Sequence, residues 1–171
     1  MPDAGVEDTL ELPLPNRRAT RRLGRVLGAA LRPGDVVLLE GALGAGKTFL
    51  VRAVARRLGV PEAAPIQSPT FALVHEHLLP GGLRLVHADL YRLSEPAEAL
   101  DLDLHERDDA VLCVEWGERF RRQVERSEAA GSLLVTLERA PRSARLWGRG
   151  ERGRALVAAL REALATVLPP E

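Results

Sequence analysis

The feature that most constrains this chain is a glycine-rich loop of eight residues, Gly41-Ala42-Leu43-Gly44-Ala45-Gly46-Lys47-Thr48. Its spacing is G-x-x-x-x-G-K-[ST], the pattern of a loop whose backbone N–H groups cradle phosphates. Lys47 is the only lysine among the 24 basic residues, all the others being arginine. A compact ammonium acts on phosphates as a point charge, a role that a planar guanidinium does not reproduce. The loop therefore predicts a phosphate-binding site centred on Lys47.

The segments on either side of the loop have the order that such a site requires. Before it, Asp35 to Glu40 follows the turn signal Pro33-Gly34 and predicts a buried parallel strand. After it, residues 49–58 place apolar side chains on one helical face, and Gly59 is typical of a helix C-cap. The helix N-terminus adds partial positive charge to the loop amides. We therefore predict nucleotide contacts from Gly41, Leu43, Gly44, Ala45, Gly46, Lys47, Thr48 and Phe49, with the Thr48 hydroxyl on magnesium.

Length and composition limit the class of protein. The 171 residues fit one domain, with the two ends, residues 1–8 and 169–171, expected to be disordered. Lys+Arg and Asp+Glu balance at 24 each, which gives no reason to expect strong nonspecific attraction to nucleic acid. The single cysteine, Cys113, excludes a disulfide framework. No stretch approaches the ~18 apolar residues of a membrane span, so we expect a soluble cytoplasmic protein without membrane contacts.

The remaining pattern predicts an α/β fold. Strands are expected at 9–14, 35–40, 71–78, 83–90, 110–115, 133–138 and 143–147, and helices at 17–31, 49–58, 95–100 and 151–168. Residues 79–82, Leu-Pro-Gly-Gly, are a hairpin signal. We expect a single P-loop NTPase-like domain whose central sheet is mostly parallel, with an antiparallel hairpin added and helices on both faces.

The predicted first helix is basic on the face opposite its apolar stripe. The residues of this basic stripe are Arg17, Arg18, Arg21, Arg22 and Arg25. Such a stripe can bind RNA or an acidic partner, but a solvated helix face is the simpler interpretation and the one we prefer.

Two carboxylates stand at the ends of predicted strands. Glu115 follows the apolar run from Ala110 to Val114, which is typical of a Walker-B strand whose acidic tip lies at the carboxyl edge of the sheet. Asp89 ends the second strand of the predicted hairpin. Either carboxylate could hold a magnesium-bound water or orient the attacking water, and either could instead be a cap or a surface group. Position alone favours function for Glu115 and leaves Asp89 evenly balanced.

Two further side chains are open to two interpretations. Trp116 directly follows Glu115 and could stack on a nucleobase, although a core tryptophan is the simpler interpretation. Thr70 follows Ser68-Pro69 and could contact a γ-phosphate as switch-loop threonines do, or it could only begin the next strand.

Four motifs taken together resemble the bacterial TsaE (YjeE) family. In order, they are Leu43-Gly44-Ala45-Gly46-Lys47-Thr48, Ser68-Pro69-Thr70-Phe71, His87-Ala88-Asp89-Leu90-Tyr91-Arg92-Leu93 and Val114-Glu115-Trp116. The resemblance covers about Leu12 to Trp116 and is loose after Glu118. It implies a magnesium-dependent ATPase needed for threonylcarbamoyl modification of the adenosine beside the anticodon in tRNAs that read ANN codons. By the same resemblance it acts on the TsaB–TsaD pair, where ATP hydrolysis sustains turnover by TsaD, and meets tRNA indirectly or through that complex.

The resemblance also implies roles for single residues. Lys47 would grip the phosphates, Thr48 and Glu115 would hold Mg²⁺, and Trp116 would stack on adenine. Asp89 would be required for hydrolysis.

Further contacts follow from the same resemblance. Ser68 to Thr70 would form a switch-like loop, and the start of the first helix, near Ala19 and Thr20, would touch the nucleotide. Arg142 or Arg145 would match a late family arginine.

Two positions depart from the family pattern. Ala42 stands where the family usually has aspartate, and Phe49 stands where a second threonine is common. The phosphate cradle consists of backbone and lysine, so we expect nucleotide binding to persist.

Two other functions remain as alternatives. A small-molecule kinase would need an arginine-bearing lid, for which residues 142–154 are the candidate. A nonhydrolysing module would use ATP only to order the switch loop. A GTPase is disfavoured because a guanine-reading N-K-x-D motif needs a second lysine.

Overall fold

Seven strands and five helices make up the fold in a computed structural model that describes residues 9–125 and 131–166. The strands are β1 (Thr9–Pro13), β2 (Val36–Glu40), β3 (Val74–Leu78), β4 (Arg84–Asp89), β5 (Ala110–Glu115), β6 (Ser132–Arg139) and β7 (Arg142–Arg149). The helices are α1 (Arg17–Ala30), α2 (Lys47–Leu58), α3 (Pro96–Leu100), α4 (Arg121–Val124) and α5 (Gly150–Ala165). The predicted disorder at residues 1–8 and 169–171 lies outside the described residues.

All seven strands form one sheet in the order β1-β7-β6-β2-β5-β4-β3. The four central strands, β6, β2, β5 and β4, are parallel, while β3 on one side and β7 and β1 on the other are antiparallel. The predicted α/β class with a parallel centre and an added hairpin is therefore confirmed. Parallel strands present their carboxyl ends at a common edge, and this edge carries the candidate site.

The sheet is covered by helices on both faces, as predicted. One face packs against α1, α2 and α5 through a core that includes Leu27, Leu50 and Leu156. The opposite face packs against α3 and α4 through a smaller core that includes Leu112 and Phe120. Central strands buried on both sides explain why β2 and β5 read as continuous apolar runs. No helix in the described residues is long and apolar enough to cross a bilayer.

Element boundaries follow local chemistry. Asn16 caps α1 by accepting a hydrogen bond from the Ala19 N–H at 3.0 Å, and Gly59 ends α2 in the left-handed conformation. The strand predicted at 71–78 begins only at Val74, because residues before it form a turn closed by the Leu73 N–H and the Pro69 carbonyl. Phe71 in that turn is 87% exposed.

Candidate nucleotide-binding site

The glycine-rich loop connects the end of β2 to the start of α2, as the sequence predicts. Gly41, Gly44 and Gly46 all have positive φ, a conformation that side chains disfavour. A Cβ on Gly41 would lie 2.5 Å from the Leu137 carbonyl oxygen, so this position has no room for any other residue. The loop conformation therefore depends on these glycines and leads directly into the N-terminus of α2.

Lys47 is only 5% exposed and turns back over its own loop. Its Nζ donates hydrogen bonds to the carbonyl oxygens of Gly41 at 2.5 Å and Ala42 at 3.1 Å, and lies 4.1 Å from the centre of the Trp116 ring. Burial lowers the pKa of the Lys47 ammonium, and the neighbouring carboxylates, chiefly Glu115, oppose that shift. The amine is thus held by groups that a phosphate can replace.

The Thr48 hydroxyl and the Glu115 carboxylate meet where β2 and β5 end. Thr48 Oγ1 donates to Glu115 Oε1 at 2.8 Å, and the same oxygen lies 2.8 Å from Nε2 of the fully buried His87. Within residues 9–125 and 131–166, no cluster of three or more His, Cys, Asp or Glu side chains could hold a metal alone. One hydroxyl and one carboxylate fit Mg²⁺, which takes its other ligands from water and substrate phosphates.

The Asp89 carboxylate accepts hydrogen bonds from two hydroxyl groups of the segment before β3. Its Oδ2 accepts hydrogen bonds from Ser68 Oγ and, at 3.1 Å, from Thr70 Oγ1, while its Oδ1 accepts the Tyr91 N–H at 2.9 Å. Asp89 pairs in register with Glu115 on the neighbouring parallel strand. The two strand-end carboxylates therefore stand side by side, with Asp89 tied to the Ser68–Thr70 segment and Glu115 tied to α2.

Trp116 lines the cavity and contacts both Lys47 and Tyr91. Its φ of 59° is a left-handed conformation that costs a non-glycine residue about 1–2 kcal/mol. Its ring packs against Tyr91 at a centroid distance of 5.1 Å and lies over the Lys47 amine. Adenine stacking on Trp116 stays a prediction.

A cavity of about 350 Å³ joins these groups. Ten predicted site residues line it: Leu43, Gly44, Gly46, Lys47, Thr48, Phe49, Thr70, Asp89, Glu115 and Trp116. Gly41 and Ala45, also predicted, do not line the cavity. The Gly41 carbonyl accepts a hydrogen bond from Lys47, and the Ala45 side chain is buried.

Two residues predicted to contact the nucleotide, Thr20 and Arg142, do not line the cavity. Thr20 is 1% exposed within the α1 packing, and its hydroxyl has no hydrogen-bond partner among the described residues. Arg142 donates to the Leu14 carbonyl at 3.3 Å, with its guanidinium 3.8 Å from where a Cβ on Gly46 would be. Arg145, the alternative, is a surface residue paired with Glu11. Of the two arginines, Arg142 is the one beside the loop.

Three residues of the site were missed from the sequence. His87 bonds Glu115, Tyr91 lines the cavity, and Arg139 donates to the Leu43 carbonyl at 3.2 Å. His87 was predictable in principle, because it precedes Asp89 by two on one strand and so shares its face. Arg139 was not, because the contact joins residues 96 apart in the chain.

Comparisons with known proteins identify the family to which the chain is similar. The family model for threonylcarbamoyl adenosine biosynthesis protein TsaE matches residues 14–145. A tRNA threonylcarbamoyladenosine biosynthesis protein TsaE from Nostoc is 42% identical over 121 residues, 67% of this chain and 72% of the relative. The protein of the same name from Bacillus subtilis is 34% identical over 125 residues, 73% of this chain and 75% of the relative.

A solved structure extends the likeness to the fold. The crystal structure of Bacillus subtilis YdiB superposes with a TM-score of 0.71 at 28% identity, covering 91% of this chain and 95% of that one. The family model spans the glycine-rich loop, both strand-end carboxylates and Arg142. The chain therefore belongs to the TsaE family of tRNA threonylcarbamoyladenosine biosynthesis proteins.

Proposed function

We propose that this chain is a magnesium-dependent ATPase whose turnover serves threonylcarbamoyl modification of tRNA. The observation that carries the proposal is the meeting of Lys47, Thr48 and Glu115 in one cavity at the carboxyl edge of the sheet. An ammonium, a hydroxyl and a carboxylate around a glycine-rich loop are the groups that a nucleoside triphosphate with magnesium requires.

Lys47 acts by exchanging partners. Its amine now binds the carbonyl oxygens of Gly41 and Ala42, and a triphosphate entering the loop offers stronger, charged acceptors. The exchange also requires the Trp116 ring to uncover the amine. When the triphosphate is bound, Lys47 and the loop N–H groups stabilise the charge that develops as water attacks the γ-phosphate in line.

Thr48 and Glu115 are the residues that would hold magnesium. The Thr48 hydroxyl donates a hydrogen bond to Glu115, which leaves the lone pairs of its oxygen available to a cation. His87 orients the carboxylate from the other side. Bound magnesium would supply positive charge to the β- and γ-phosphate oxygens.

We assign the positioning of the attacking water to Asp89. Glu115 Oε1 is already shared between Thr48 and His87, whereas Asp89 bonds hydroxyls of the Ser68–Thr70 segment, which line the cavity. A water that replaces one of those hydroxyls would lie within hydrogen-bond reach of the carboxylate. Thr70, which is hydrogen-bonded to Asp89, would then contact the γ-phosphate through its hydroxyl.

The partner of this activity is proposed to be the TsaB–TsaD pair in the cytoplasm, with TsaD making the modification. The family membership and the tRNA role carried by the names of the relatives support this assignment. A reconstituted modification assay tests it: wild-type protein sustains repeated turnover with ATP, and Lys47→Ala and Glu115→Ala do not. Full modification with both variants would show that nucleotide chemistry is irrelevant.

A kinase is the weaker candidate. Residues 142–154, which a lid would need, form β7 and the first turn of α5, and β7 pairs with β6 along eight residues. A segment fixed in the sheet does not close over a substrate. ADP release that depends on an added nucleoside or sugar acceptor would favour the kinase over the ATPase.

A further inference from the structure

A second concave surface lies between α1 and α2 and is larger than the nucleotide cavity. This arginine groove has a volume of about 660 Å³. Its walls carry five arginines: Arg21 and Arg25 from α1, and Arg52, Arg56 and Arg57 from α2. It combines part of the basic stripe predicted on the first helix with arginines of the second, a combination that neither helix pattern reveals alone.

The groove exists because two glycines let the helices approach closely. A Cβ on Gly24 would lie 2.4 Å from the Ala53 Cβ, and one on Gly28 would lie 2.9 Å from the Arg57 Cβ. Larger residues at either position would push α1 away from α2. Close packing through Gly24 and Gly28 therefore brings guanidinium groups from both helices beside one another.

The groove charges are largely uncompensated. Arg52 and Arg56 donate to the backbone carbonyls of residues 60–66, contacts that leave their positive charge in place. Arg21, Arg25 and Arg57 form no ion pair within the described residues. One carboxylate lines the groove, that of Glu62, and it is 92% exposed where it pairs with Arg56.

Like charges gathered on one surface of a neutral chain repel one another, and a bound polyanion would offset that repulsion. We propose that the arginine groove binds the phosphodiester backbone of RNA. Its volume exceeds what a single phosphate fills, and guanidinium forks match phosphate oxygens in pairs. A protein partner fits less well, because the fully buried cores of protein interfaces are mainly apolar, and six of the eight residues that line this groove are charged.

The groove adjoins the nucleotide cavity at Phe49, which lines both. Arg17 lies over the Phe49 ring at 5.8 Å, so an aromatic face and a guanidinium stand together where the two surfaces meet. Aromatic faces stack unpaired bases with little sequence preference. RNA in the groove would therefore pass beside Thr48 and the bound nucleotide. The choice of RNA as polyanion rests on the proposed function, which places the chain in tRNA modification.

Fluorescence anisotropy with a labelled, unmodified tRNA transcript and the full chain tests the proposal. The variant Arg21→Gln/Arg25→Gln/Arg57→Gln removes three charges and keeps the side-chain stems that cover the helices. Affinity should fall at least ~10-fold, and the log–log salt slope should shrink by about 2–3, since each lost phosphate contact removes about 0.7–0.9. Arg122→Gln, on α4 at the opposite face, is the control for loss of one arginine outside the groove and should change affinity less than ~2-fold.

Equal tRNA affinity in the wild type and the triple variant, or no tRNA binding by the wild type, would overturn the proposal. So would a triple variant that loses only its association with a partner protein, which would identify an acidic protein surface instead. Circular dichroism of the triple variant verifies folding. ATP turnover measured without tRNA separates this proposal from the ATPase. Lys47→Ala should lower turnover by about 10²–10³-fold and keep tRNA affinity, whereas the triple variant should keep turnover and lose tRNA affinity.

Discussion

The nucleotide cavity and the arginine groove share Phe49 but organise charge in opposite ways. In the cavity, Lys47, Asp89 and Glu115 are each 5% exposed or less, and each is held by hydrogen bonds. In the groove, Arg21, Arg25 and Arg57 are exposed, of one sign and without ion pairs among the described residues.

This difference in burial and pairing determines the kind of ligand that each surface can bind. A buried charge costs free energy unless it is paired, so the charged side chains of the cavity are held by hydrogen bonds at short distances. Groups fixed in this way can act on single atoms of a bound nucleotide. Exposed charges keep their hydration and act over about 10 Å at moderate salt, so the groove attracts an extended anion without a fixed pose. Substitutions in the cavity should therefore affect chemistry, and substitutions in the groove should affect association.

Removing Lys47 is expected to have the largest effect. Lys47→Ala should lower ATP turnover by about 10²–10³-fold, because one preorganised donor to the developing charge is lost. Lys47→Arg should be nearly as inactive, since a planar guanidinium does not reproduce the compact point charge of an ammonium. A coupled assay of phosphate release measures both. Wild-type turnover in Lys47→Arg would contradict the proposed geometry.

The two strand-end carboxylates should separate by their response to magnesium. Glu115→Gln and Asp89→Asn should each lower kcat by about 10²-fold or more. Only Glu115→Gln should raise the magnesium concentration needed for half-maximal turnover, because Thr48 and Glu115 are the proposed ligands. Magnesium titrations of the two variants measure this. An increased requirement in Asp89→Asn alone would reverse the assignment.

Gly24→Ala should destabilise the fold and distort the groove in one step. The new Cβ would meet Ala53 at 2.4 Å and the Leu50 carbonyl oxygen at 3.1 Å, so we expect a loss of about 1–3 kcal/mol in the free energy of unfolding. Urea denaturation measures that loss. The double variant Gly24→Ala/Ala53→Gly removes the clash between the two Cβ atoms and should recover part of the lost stability. No recovery would show that this clash does not destabilise Gly24→Ala.

The smallest expected effect is that of pH on the groove. Guanidinium groups stay protonated from pH 6.5 to 9, so tRNA affinity should change less than ~2-fold over that range at constant salt. Anisotropy titrations at three pH values measure it. A steep loss of affinity with rising pH would indicate that a titrating group, and not the arginines, binds the RNA.

Local patterns in the sequence predicted most of the fold and the inner part of the site. The glycine-rich loop, β5 with Glu115 at its tip and the β3–β4 hairpin all depend on residues adjacent in the chain. The start of β3 was missed because Phe71 and Leu73 look like strand residues but form a turn. The Arg139 contact and the arginine groove depend on how distant elements pack, which a linear pattern does not encode.

A crystal structure with magnesium and a nonhydrolysable ATP analogue would show whether the glycine-rich loop binds a triphosphate through Lys47. We expect the triphosphate in the glycine-rich loop, with Lys47 Nζ moved from the Gly41 carbonyl to phosphate oxygens and the Trp116 ring displaced from the amine. Magnesium should lie beside Thr48 and Glu115. A triphosphate bound elsewhere, with Lys47 still bonded to Gly41 and Ala42, would show that this loop is not the nucleotide-binding site.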